Sequence, residues 1–191
     1  MNKLKLNIRE FLKYKFLNSL FLGLSVGSIF VLYTPLMPSV YSIGGVLLAL
    51  GMLVVAKFYY KILNMHYFYS ISLFIELVIL SILIYFLLFS YSYMTALIIY
   101  IGYQITFTFG SYLIRAETLF LKKTKPIELV DIAKQTGYLT GMVLSYFFYL
   151  LLEKVFEISD KQVQVYNIHF MLILVELLII YYLIHSFRKV Q

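Results

Sequence analysis

Six long apolar runs lie along a chain of 191 residues, and nearly every cation falls in alternate gaps between them. The runs read as 17–36, 39–60, 67–89, 93–115, 132–153 and 166–186. Each is close to the roughly 20 residues that a helix needs to cross a bilayer. A soluble domain of this length has no interior large enough for such a chain, in which 62% of residues are hydrophobic and 13% charged. Lipid is therefore the expected solvent, and the expected class is all-α, a polytopic membrane protein of six transmembrane helices.

The cations set the expected orientation. Lys3, Lys5, Arg9, Lys13 and Lys15 precede the first run, and Lys57 and Lys61 fill the second gap. Arg115, Lys122, Lys123, Lys125 and Lys134 surround the fourth gap, and Arg188 and Lys189 close the chain. Only Lys154 and Lys161 fall on the other side. The positive-inside rule places both termini in the cytoplasm, and lysine-rich usage fits a bacterial inner membrane. The net charge of +7 is read as topology and attraction to anionic lipid, with no nucleic-acid partner. The first apolar run is too long for a cleaved signal peptide and acts as an uncleaved anchor. Leu4, Ile8, Phe11 and Leu12 share a helical face, which predicts a short amphipathic helix over 1–16 on the inner leaflet. Residues 17–189 then form a single six-helix domain.

The longest connection, about 116–131, holds Pro126, which suits the first turn of a helix, with Glu128 and Asp131 near its positive end. The fifth helix is expected to begin before it enters the membrane. Absence of cysteine removes disulfides, thiolate metal sites and cysteine nucleophiles. No HExxH, GxSxG or Gly-rich phosphate loop occurs, so neither an enzyme nor a nucleotide-driven pump is expected. His66, His169 and His185 lie near span ends on different sides and read as interfacial, with no metal or cofactor implied.

An echo runs through the chain. Phe74-Ile75-Glu76-Leu77-Val78-Ile79 in the third run matches Leu174-Val175-Glu176-Leu177-Leu178-Ile179 in the sixth. The second run has Gly44, Gly45 and Gly51, and the fifth has Gly137 and Gly141. Three spans followed by three similar spans insert oppositely, so two inverted three-helix repeats are predicted, about 17–89 and 93–186.

This layout resembles the amino-terminal six-helix half of the major facilitator superfamily. It has a short outer turn at Pro35 and Pro38, a basic second gap, a long basic middle gap and a basic tail. In the second gap, Ala56-Lys57-Phe58-Tyr59-Tyr60-Lys61-Ile62-Leu63-Asn64-Met65 keeps Lys61 at a basic position of the family motif. Tyr60 stands at the aspartate position, and Ala56 and Leu63 stand at the glycine positions. The resemblance implies a secondary transporter of a small solute, with first and fourth helices bordering the substrate cavity. Half of such a fold needs a partner, either a second copy in a parallel homodimer or another six-helix chain.

Gln104, Thr108, Ser111 and Arg115 recur at i, i+4, i+7 and i+11, one helical stripe that cannot cheaply face lipid. With Ser25, Ser28 and Tyr33 of the first span, the residues Gln104, Thr108 and Ser111 are the candidate substrate contacts. Packing between helices explains the same polar residues without a ligand. A carboxylate in mid-bilayer costs about 2.5–3.5 kcal/mol on insertion scales, so Glu76 and Glu176 are the candidate proton-coupling groups. A protonated carboxyl bonded to a neighbouring helix is their structural alternative. Arg115, Glu117, Lys57 and Lys61 are the candidate inner gate. Ser19-xxx-Gly23-xxx-Gly27 and Gly137-xxx-Gly141-xxx-Ser145 allow close backbone approach, for helix packing or for the subunit interface. Outside the transporter class, the same features fit a non-transporting membrane subunit or assembly factor packed on a larger partner.

Overall fold

The computed structural model describes residues 4–189 and is almost wholly helical. Its helices are α1 (Ile8–Leu32), α2 (Pro38–Lys57), α3 (Tyr59–Ile62), α4 (Met65–Leu88), α5 (Tyr93–Thr108), α6 (Gly110–Leu121), α7 (Thr124–Lys154) and α8 (Lys161–Ser186). Two short strands, β1 (Leu4–Leu6) and β2 (Phe187–Lys189), pair antiparallel and bring the described ends of the chain together.

Five stretches are long and apolar enough to cross a membrane: α1, α2, α4, the α5–α6 pair and α8. The sixth expected span, 132–153, is helical but lies in α7, which is not among the five. Thr136, Thr140, Ser145 and Tyr146 dilute its hydropathy. At 1.5 Å per residue its 31 residues reach about 46 Å, longer than a hydrocarbon core.

Segment ends have local causes. Pro38 takes the first position of α2, where its missing N–H leaves nothing unsatisfied. Asp160 caps α8 by accepting from the backbone N–H of Gln162 (2.7 Å) and Val163 (3.1 Å). Lys122, with φ of 58°, turns the chain out of α6. Two runs expected as continuous are interrupted near one end of the bundle. Phe58 (φ −91°, ψ 3°) separates α2 from α3, and Phe109 (φ −94°, ψ 0°) separates α5 from α6.

The amphipathic segment 1–16 differs from expectation over its described residues. Leu4–Leu6 is strand, and residues 8–16 continue without a break into the first span. Phe11 and Tyr14 are buried among other helices, where burial between helices removes more apolar surface than one leaflet face would.

α1 is the hub. It packs most closely along α7 and next along α8, while α4 packs on α8 and α5, and α2 packs on α5. These principal pairings are unchanged when α1, α2 and α4 trade places with α5–α6, α7 and α8. The main core joins Phe11, Leu24, Phe68, Tyr112, Ile168 and Ile179. α2 is peripheral, with Gly44 as its single buried residue.

Candidate functional site

Glu76 lies near the middle of α4 and Glu176 on the facing side of α8, and both are fully enclosed, at 1% and 0% exposure. The two carboxyl groups lie close enough to act on each other. α1 supplies the rest of the surroundings. The Tyr14 hydroxyl donates to Glu76 Oε1 at 2.8 Å, and Asn18 Nδ2 donates to the same oxygen at 3.2 Å. Counted as ionised groups, Glu76 Oε2 and both Glu176 oxygens have no donor. Two buried carboxylates in contact are untenable, because like charges repel and unpaired lone pairs lose their hydration. One proton held between them removes both difficulties.

Toward the end where the strands pair, a second buried cluster follows. Lys15 Nζ lies 2.7 Å from Glu117 Oε2, and Lys134 bonds Glu117 Oε1. Lys134 also lies 3.7 Å from the exposed Asp131. The Lys15 ammonium sits 5.3 Å from the Phe11 ring centre and 5.1 Å from that of Tyr14, a cation–π setting. Glu117 thus ties α6 to α1 and α7. Two cations, Lys15 and Lys134, hold the buried Glu117, and the exposed Asp131 adds a second anion beside Lys134.

The expected gate residues are dispersed. Glu117 is the buried centre of the cluster, whereas Arg115, Lys57 and Lys61 are exposed and join no ion pair among the described residues. The expected substrate contacts divide as well. Gln104 and Thr108 line a groove of about 240 Å³ between α2 and α5, together with Gly44, Leu47 and Tyr100. There Gln104 Oε1 is buried without a donor. Ser111 is exposed. Ser25 and Ser28 are buried and donate to backbone oxygens of their own helix, Leu22 O at 3.0 Å and Ser25 O at 2.7 Å. Tyr33 meets Tyr100 edge-on at 5.6 Å and so touches a wall of the groove.

The two small-residue stripes face each other along α1 and α7. A side chain at Gly137 would run into Phe16 O, and one at Gly141 into Leu20 O. Gly23 lies against Gly141 and Met142, Gly27 against the Tyr149 ring, and Ser145 Oγ donates to Leu24 O at 3.3 Å. The α7 stripe is therefore covered within the chain by α1.

His169 is buried against Phe86, with ring centres 4.1 Å apart, and its Nδ1 lies 2.6 Å from Val165 O. His66 and His185 are exposed. At the opposite end of the bundle from the Lys15 cluster, a cavity of about 500 Å³ opens between α1, α4, α5 and α8. Leu32, Phe86 and Ile99 line it, with Ser92, Thr95 and Lys161.

Tyr14, Asn18, Lys15 and Lys134 are the site residues that sequence reasoning missed. The signal for three of them was the period of α1. Tyr14 and Asn18 are spaced i, i+4, as are Phe11 and Lys15, so polar groups share the apolar face. The chain matches no family model, no curated protein and no solved structure.

Proposed function

We propose that the chain is a proton-coupled secondary transporter of a small solute, built from two inverted three-helix repeats in the layout of half a major-facilitator transporter. The observation that carries this reading is the enclosed Glu76–Glu176 pair, one carboxyl from each triplet, meeting where α4 crosses α8. Residues a hundred positions apart in matching sequence contexts meet where a two-fold axis relating the triplets would pass. The exchangeable helix pairings support the same arrangement.

A buried carboxyl pair is destabilising unless it does something, and holding one exchangeable proton is what its chemistry supplies. The coupling ion is a proton in preference to a metal cation, because Tyr14 and Asn18 present hydrogens to the pair and Lys15 adds positive charge beside it. A sodium ion would need oxygen ligands in those positions. Glu117, held by Lys15 and Lys134, serves as the inner gate, since breaking those bonds frees α6 from α1 and α7. The alternating cations support insertion in one orientation, with both termini in the bacterial cytoplasm. Two copies then associate in parallel, and the solute binds between them, with Gln104 and Thr108 reaching it from the α5 groove.

The test is flux into vesicles. Purified protein in phospholipid vesicles loaded with a pH-sensitive dye should acidify the lumen when a transported solute is added from a panel of sugars, amino acids, carboxylates and drugs. Glu76→Gln with Glu176→Gln should abolish that signal. Wild-type flux from the double variant would reject the coupling role of the pair, and a stoichiometric complex with a different polypeptide and no flux would reject transport. The second result would make the chain a non-transporting subunit.

A further inference from the structure

The two carboxyls are chemically alike but unequally served. Both donors from α1, the Tyr14 hydroxyl and the Asn18 amide, converge on one oxygen of Glu76, and none reaches Glu176. Lys15 is the cation that acts on Glu76, whereas the further ionisable groups that feel Glu176 are the neutral phenols of Tyr14 and Tyr103. A carboxylate is stabilised by donors and a nearby ammonium, and a carboxylic acid needs an acceptor for its own O–H. Glu76 has the first environment. Glu176 lacks such donors, and the unpartnered Glu76 Oε2 is available to accept from its O–H.

We infer that Tyr14 and Asn18 are positioning residues that divide the labour of the pair, so that Glu76 is the resident anion and Glu176 carries the exchangeable proton. The inference rests on the proton-coupling reading and assigns roles within it. A proton leaving Glu176 must end on water or on the solute-loaded site. The anion left behind then faces Glu76 across the α4·α8 contact, and their repulsion presses the two helices apart. Protonation state is thereby converted into helix separation, and α1 decides which partner moves charge because it holds Glu76 fixed.

The roles predict unequal variants. In Glu176→Gln, the amide nitrogen replaces the acid O–H as donor to Glu76, so the purified protein in detergent should unfold within about 2 °C of wild type. In Glu76→Gln, the negative charge must move to Glu176, which no donor from α1 reaches, or vanish and leave the Tyr14 and Asn18 donors without their anion, and the midpoint should fall by about 5 °C or more. Equal midpoints, or the reverse order, would overturn the assignment. Tyr14→Phe deletes the hydroxyl and keeps the ring packing. The infrared carboxylic C=O band that disappears in Glu176→Gln should then titrate about one pH unit away from its wild-type midpoint, as loss of one donor to a charged group implies. An unmoved midpoint also overturns the role of Tyr14. Proton-driven flux that survives in the double glutamine variant would instead sink the proton-coupling reading of the pair, whatever the band and the midpoints show.

Discussion

The α1·α7 and α2·α5 contacts exchange places when α1, α2 and α4 trade places with α5–α6, α7 and α8, yet they are filled in different ways. Between α1 and α7, glycine meets backbone: Gly137 against Phe16 O, Gly141 against Leu20 O, and Gly23 against Gly141. Between α2 and α5, glycine meets side chain. Tyr100 lies over Gly44, and Thr108 over Gly51, where an added Cβ would sit 3.0 Å from Cγ2. Backbone cannot retreat from an added methyl, but a tyrosine or threonine side chain can turn away. The first contact is a fixed seam, and the second leaves the groove lined by Gln104 and an outer helix with little else holding it. Under the proposed transport cycle, the division would give anchoring to one seam and adjustment to the other.

Three glycine substitutions rank the contacts. Gly141→Val should be the most damaging, at about 4 kcal/mol, because its side chain enters the path of α1 and rotamer changes give no relief. A well-folded, monodisperse Gly141→Val protein in size-exclusion chromatography would show that the seam yields. Gly44→Ala should cost about 1–2 kcal/mol, since the Tyr100 ring must shift while the helices stay in place. Thermal unfolding of Gly44→Ala measures that cost, and a loss as large as that of Gly141→Val would erase the distinction between the seams. Gly45→Ala should be near neutral or stabilising by about 0.5 kcal/mol, because its position is open and alanine favours helix. A clear loss at Gly45 would reveal a second molecule packed on that face of α2.

Much of this layout was legible in the sequence. Most of each expected apolar run lies in helix, although residues 33–36 of the first form a turn, and the echo around Glu76 and Glu176 marked the two carboxyls that meet. The breaks at Phe58 and Phe109 were not legible, because a single residue near φ −90° and ψ 0° leaves no trace in hydropathy. Lys15 was hidden for a different reason. A lysine ahead of an apolar run looks the same whether it meets lipid headgroups or an acidic partner a hundred residues away. The strand at Leu4–Leu6 did leave a sign, since Leu4-Lys5-Leu6 alternates with period two, but the helical period of the following residues overrides it.

α1 precedes its principal partners, α7 and α8, by most of the described residues. The counter-charge of Lys15 lies at Glu117, the helix that fits against Gly23 begins at Thr124, and the strand that pairs with Leu4–Leu6 is Phe187–Lys189. During synthesis α1 therefore emerges with a cation unpaired and a glycine stripe uncovered until α6 and α7 follow it. The β1–β2 ribbon can close only after α8 is made, and a truncation after α6 would leave α1 exposed to quality control.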